Sequence, residues 1–197
     1  LLLGHHKDDQ AETILKRILE GSSLINLKGM DISIEKNGMR IIRPLLFHNK
    51  SEMVDFLSSR KKSFFSDYTN FDCKYLRART REEIIPFLEK SFNKKIRDNL
   101  VVFGIRIEEI CDYLHFKLSS HIKKLKIDQY EAKIEIEAGL HDLEIEYILI
   151  LILKNLSISL SRNEIEKVKS IIKNRKNGKK QINGSSEIIF VKDTLIF

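Results

Sequence analysis

Residues 5–12 read His-His-Lys-Asp-Asp-Gln-Ala-Glu, which puts two histidines and three carboxylates inside eight positions. These side chains hold or move protons and ligate metals. Asp8 and Glu12 are four apart and neighbours on a helix, with Asp9 about a quarter turn round, so three carboxylates crowd one helix N-terminus. A metal centre is the less favoured chemistry. Adjacent histidines in an extended turn point to opposite sides, and the sequence has neither an H-x-H nor an H-E-x-x-H pattern. A purely structural role stands beside the chemical one: Asp8 as N-cap, Asp9 and Glu12 at the positive end of the helix dipole, and the histidines as turn residues.

The elements that must position these groups can be read on either side of them. Leu1, Leu2 and Leu3 form an apolar run without alternation, as in a strand of a parallel sheet buried on both faces. Ala11, Ile14, Leu15, Ile18 and Leu19 then make one apolar stripe of a helix. The polar turn between falls in the crevice beyond a strand's carboxyl end, where ligands sit in open α/β sheets. Gly21 suits the end of the helix, and Ser22 and Ser23 suit the cap of a short second helix ending near Gly29.

Residues 31–38 read as a polar turn and residues 39–43 as a strand stopped by Pro44. Arg43 then lies at the same end of the sheet as the His-Asp turn if the strands are parallel; the alternative is a solvated strand end. Residues 49–60 predict an amphipathic helix with Met53, Val54, Phe56 and Leu57 on its apolar side, and residues 66–72 a loop of turn formers. Residues 75–88 predict a helix with Pro86 as a late kink. On it Arg77 and Arg81 share a face and repel. They call for an anionic ligand, unless glutamates such as Glu82 and Glu83 compensate on a solvated face.

The composition shifts after Ser91, dividing the chain into residues 1–90 and 91–197. Ile107, Ile110, Leu114, Leu118, Ile122 and Leu125 predict one long helix, and Ile134 and Ile136 alternate with charged residues. Residues 141–156 predict a strongly apolar helix packed in a bundle, and Ser161 with Glu164 has capping-box spacing. The basic turn at 173–180 carries Lys173, Arg175, Lys176, Lys179 and Lys180, a candidate phosphate-backbone contact or a solubilising surface. Short alternating strands follow to residue 197.

The 197 residues are 42% hydrophobic and 32% charged, as in soluble globular proteins, and carry a net charge of +7 with a pI near 9.3, which suits a polyanionic partner. The two cysteines, Cys73 and Cys111, form no C-x-x-C pair, which favours a reducing cytoplasm over a disulfide framework. The run 147–153 is too short to span a bilayer, so no membrane association is expected. A chain opening inside a buried strand without Met reads as a fragment.

The motifs Leu3-Gly4-His5-His6-x-Asp8-Asp9-Gln10-Ala11-Glu12-Thr13, Gly21-Ser22-Ser23-Leu24 to Gly29-Met30 and Ile42-Arg43-Pro44-Leu45-Leu46 resemble the tRNA(Ile)-lysidine synthetase family. The loop Asp67-x-Thr69-Asn70-x-Asp72-x-x-Tyr75-x-Arg77-x-Arg79-x-Arg81 and Pro86 extend the resemblance, as does the Leu160-Ser161-Arg162 helix with its basic turn and strands. Ala78 and Thr80 depart from that family's Asn and Ile. The Gly-His-His-x-Asp-Asp-Gln turn alone is shared with other ATP pyrophosphatase-type enzymes that modify tRNA.

The resemblance implies an α/β fold: part of a Rossmann-like parallel-sheet ATP pyrophosphatase domain at 1–90, then a mostly helical tRNA-binding domain with a short terminal β hairpin at 91–197. It implies a cytoplasmic ligase that uses ATP to adenylate C2 of the wobble cytidine of tRNA(Ile) with a CAU anticodon, then joins free L-lysine to give lysidine. Asp9 and Glu12 would hold the lysine and take its proton, and His5 and His6 would stand near the nucleotide and cytidine. Asp8, Arg43, Arg77 and Arg81 would contact substrate, and the basic residues at 173–180 would grip tRNA. Mg2+ would come with ATP, held by its phosphates and by a Ser-Gly-Gly-x-Asp-Ser loop that precedes the Gly-His-His turn in that family and is not in these residues. The oligomeric state stays open, a homodimer among the options. The rival readings are a non-catalytic tRNA-binding fragment and another tRNA-modifying relative of the same ATP-using type.

Overall fold

The computed structural model describes residues 1–36, 38–65, 74–128, 131–156, 158, 160–174, 177–182, 186–191 and 193–196. They form two compact units, Leu1–Ile107 and Glu108–Phe197.

In the first unit, helix α1 spans Lys7–Leu19 and is followed by a 3-10 turn, Leu24–Lys28. Ala11 and Ile14 are fully buried and Leu15 nearly so, whereas Ile18 and Leu19 are exposed. The apolar stripe of α1 is therefore core only over its first two turns. Residues 31–38 are more than a turn: strand β1 (Ser33–Lys36) pairs antiparallel with β2 (Met39–Ile42) across Gly38, whose φ of +70° suits glycine. The polar composition of β1 hid a strand that is mostly solvated.

Leu2 forms a parallel bridge to Ile42, with the Leu3 N–H donating to Ile42 O and the Ile42 N–H to Leu1 O. Two backbone hydrogen bonds thus lay the first residues alongside β2 in the parallel sense. The expected strand buried on both faces is not seen, because nothing among the described residues covers Leu1 and Leu2, which are exposed. The fold is mixed α/β, and its named strands pair antiparallel.

Helix α2 (Lys50–Ser59) starts on Asn49, whose side chain and that of Glu52 form a capping box. It buries no residue, and Phe56 lies exposed under the Arg60 guanidinium, 4.6 Å from its ring centre. Helix α3 (Leu76–Arg79) runs through a π-helical turn (Thr80–Ile84) into α4 (Ile85–Phe92). Pro86 lies at the start of α4, where a missing N–H is tolerated, so the irregularity comes before the proline instead of at a late kink. The left-handed Asn93 ends α4, and α5 spans Ile96–Lys117.

In the second unit the expected long helix bends at Leu118 (φ −93°, ψ 9°) before α6 (Ser119–Lys124). Leu118 is itself buried, so packing sets the bend, and a stretch without Gly or Pro carries no local sign of it. Strands β3 (Lys126–Ile127) and β4 (Ala132–Glu135) precede helices α7 (Asp142–Asn155) and α8 (Arg162–Lys173), and β5 (Gly178–Ile182), β6 (Ser186–Val191) and β7 (Thr194–Ile196) close the chain. The capping boxes His141/Glu144 and Ser161/Glu164 start the two helices. The strands form one antiparallel sheet in the order β3-β4-β7-β6-β5. This is larger than a terminal hairpin: β4 pairs with β7, setting buried Ile134 opposite buried Leu195. Residues sixty positions apart complete the sheet, a pairing that alternation alone leaves open.

Candidate functional site

The N-cap of α1 is His6, and Asp9 stands at the third helical position. Asp9 Oδ2 accepts from the His6 backbone N–H (2.9 Å), so the capping carboxylate is Asp9 and not Asp8. Asp8 faces elsewhere, accepting the Lys50 N–H at 3.3 Å, with His6 Nδ1 at 3.3 Å and Arg97 Nε at 3.9 Å. The adjacent His6 imidazole, with help from the Lys50 N–H and Arg97, holds the Asp8 carboxyl below the usual range against the opposing effect of burial.

Helical spacing instead brings Asp9 and Glu12 together, both almost fully buried. Two guanidiniums satisfy them. Arg77 donates from Nε to Glu12 Oε2 (3.0 Å) and from Nη2 to Asp9 Oδ1 (2.7 Å). Arg81 donates from Nε to Glu12 Oε1 (2.6 Å) and from Nη2 to Asp9 Oδ1 (3.0 Å) and Glu12 Oε2 (3.1 Å). Two charges of each sign close the cluster. The repulsion between Arg77 and Arg81 is thus answered by Asp9 and Glu12 across the fold. Burial works against the charge on Arg81, but the hydrogen bonds and charge of Glu12, with Asp9 and Glu82, raise its pKa above the ordinary value. The π-helical turn after Arg79 adds a residue to the helical turn, an irregularity frequent at functional sites.

His5 and His6 point to different partners, as adjacent residues of an extended segment do. His6 is buried, with Nε2 3.4 Å from Asp9 Oδ2. His5 Nδ1 accepts from Arg43 Nε (3.2 Å). Burial is the first cause of a lowered His5 pKa, and Arg43, Arg77 and His6 reinforce it against Asp9. Arg43 follows β2 and reaches the His-Asp turn, the placement the parallel relation requires. A cleft of about 540 Å³ opens over these groups, lined by Gly4, His5, His6, Asp9, Lys50, Tyr75, Arg77, Ala78 and Arg81. Its donors suit an oxyanion ligand. Among the described residues, no group of three or more His, Cys, Asp or Glu could hold a metal ion.

Sequence reasoning missed three contributors. Lys50 opens a helix that otherwise looks peripheral, and Arg97 ties Glu89 (2.7 Å) and the Arg81 carbonyl (3.2 Å) near Asp8. Gln10, inside the motif and buried, bridges the backbone of Met30 through Nε2 to its carbonyl (2.9 Å) and Oε1 from its N–H (2.7 Å). A polar residue on the buried side of α1 was the available signal for Gln10; Lys50 and Arg97 had none.

The basic turn belongs to the second unit. Lys173 pairs with Asp142 and Lys179 with Glu187, both at the surface. Such surface pairs contribute little to stability. Arg175, Lys176 and the Lys180 side chain lie outside the described residues, as does the loop motif at 66–73. No helix among the described residues is long and apolar enough to cross a membrane.

Residues 1–88 match the PP-loop domain family. The tRNA(Ile)-lysidine synthase of Chlamydia trachomatis serovar D is 44% identical over 114 residues, 58% of this chain and 36% of that protein. That of Chlamydia muridarum shares 44% over 114 residues, and that of Chlamydia abortus 38% over 136 residues, 69% of this chain and 43% of that protein. The chain thus spans about two fifths of the length of the curated relatives it matches.

Proposed function

From the premise that the chain is, over the matched part, a member of the tRNA(Ile)-lysidine synthetase family, we propose that it belongs to a ligase that joins lysine to C2 of the wobble cytidine of tRNA(Ile). The observation that carries this reading is the buried pair Asp9 and Glu12 beside a donor-lined cleft in the PP-loop part of the chain.

ATP would supply the adenylyl group that turns the C2 oxygen into a leaving group. Lys50, Arg77 and His5 line the cleft as donors for phosphoryl oxygens, which fits that substrate; Mg2+ would be held mainly by its phosphates. The free lysine amine attacks C2, and AMP departs with the oxygen. Asp9 and Glu12 hold the incoming ammonium and take its proton. Their lone pairs are engaged by Arg77 and Arg81, so lysine must take over bonds from one of them. Arg77 is the one that yields, its side chain 53% exposed against 18% for Arg81. Lys173, Arg175, Lys176, Lys179 and Lys180 meet the tRNA backbone, and the reaction is cytoplasmic, where charged tRNA pools are used.

One observation favours the rival reading of a non-catalytic tRNA-binding fragment: Asp9 and Glu12 already have protein partners. The test is ATP-dependent incorporation of labelled lysine into a tRNA(Ile) transcript with a CAU anticodon, by the full gene product with magnesium. Incorporation lost on replacing the wobble cytidine, and lost in Glu12→Ala with tRNA affinity retained, supports the ligase. Neutralising the basic residues at 173–180 should weaken tRNA binding and flatten its salt dependence. tRNA binding without incorporation supports the rival.

A further inference from the structure

His5 accepts from a side chain that can only donate. A guanidinium carries five N–H donors and no acceptor, so the Arg43 Nε contact to His5 Nδ1, at 3.2 Å, requires a lone pair on Nδ1. Arg43 has little freedom to do otherwise. Its backbone N–H donates to Ile32 O (2.8 Å) and its Nη1 to Asp31 O (2.7 Å). The turn that presents Asp31 is clamped in its turn: Gln10 holds both backbone groups of Met30, and Arg17 Nη1 donates to the carbonyls of Asn26 and Gly29, each at 2.5 Å. Gly29 is part of that clamp, because a Cβ there would lie 2.6 Å from Gln10 Oε1 and its φ is +88°.

We propose that Arg43 is a positioning residue that locks His5 as the neutral tautomer protonated on Nε2, so that His5 offers the cleft a fixed hydrogen-bond donor and no base. Nε2 has no hydrogen-bond partner among the described residues, and the ring lines the cleft. A second proton on Nδ1 would break the Arg43 bond and set two cations in contact. The charged and titratable groups around the ring are Arg43 after β2, Arg77 on α3, and Asp9 and His6 at the start of α1. Both arginines oppose protonation and Asp9 favours it. His6, one residue on, meets two aspartates and has the opposite surroundings.

The donor on His5 suits a phosphoryl or carbonyl oxygen of the substrate. That identity rests on the function proposed above, whereas the tautomer does not.

The test is long-range 1H–15N NMR of the histidine-labelled chain between pH 8 and pH 5.5. The expected result is an Nδ1 of acceptor type and a protonated Nε2 that persist below the ordinary value of 6.5. In Arg43→Met, His5 should become a mixture of tautomers and titrate at a higher pH than in the unaltered chain, with the other five histidines serving as the check on folding. A proton on Nδ1 in the unaltered chain overturns the proposal, and so does a His5 signal that Arg43→Met leaves unchanged. If Arg43→Met does not fold, the unaltered chain alone decides. No tRNA, ATP or lysine enters the measurement. Failed lysine incorporation with the expected tautomer therefore counts against the proposed ligase and not against this role of Arg43.

Discussion

Arg81 grips Glu12 side on, Nε to Oε1 at 2.6 Å and Nη2 to Oε2 at 3.1 Å, with the carboxylate almost wholly buried and the guanidinium 18% exposed. The pair joins α1 to the π-helical turn across sixty-nine residues of sequence. It fixes where the cleft can form.

Removing one partner of this pair leaves the other buried and charged. Arg81→Met should lower the unfolding free energy by about 3 kcal/mol, because Asp9 and Glu12 then share Arg77 alone. Urea unfolding of Arg81→Met, Glu12→Gln and the double variant measures the coupling. A double variant whose loss equals the sum of the single losses would mean that the pair contributes nothing as a unit.

Asp8 makes stability depend on acid pH. Its folded pKa is lowered, first by the His6 imidazole, so its contribution is fully present above the unfolded value near 3.8 and is lost as pH falls through the folded value. His6→Asn keeps a capping residue at that position but removes the largest cause. Its urea midpoint should therefore be lower at pH 5 and should fall less on acidification than that of the unaltered chain, in a series from pH 5 to pH 2.

Gly104 on α5 marks a close approach within the first unit. A Cβ there would lie 2.6 Å from Ile14 Cδ1 and 3.0 Å from the Lys28 carbonyl oxygen. Ala is favoured over Gly inside a helix by up to about 1 kcal/mol. Overpacking against the fully buried Ile14 and a backbone oxygen outweighs that, so Gly104→Ala should destabilise by roughly 1–2 kcal/mol. Adding Ile14→Val, which removes the Cδ1, should recover part of the loss in the same urea assay.

The sequence by itself determined the local features. The end of α1 before Gly21, the short turn ending at Gly29, strand β2 and the Ser161/Glu164 box all follow from backbone chemistry within a few residues, which periodicity and capping rules read directly. It also placed the candidate residues 5–12, because dense titratable groups between an apolar run and a helix are visible in one dimension.

What the tertiary structure decided were partners. That Asp9 caps and Asp8 does not depends on which way the chain enters α1. The match of Arg77 and Arg81 to Asp9 and Glu12, in place of the nearer Glu82 and Glu83, depends on two helices meeting, and long-range ion pairs leave no spacing to count. The pairing of β4 with β7 is of the same kind. The exposure of Phe56, Leu1 and Leu2 shows the limit from the other side: an apolar pattern says that a face can be buried, and only the neighbouring surface decides whether it is.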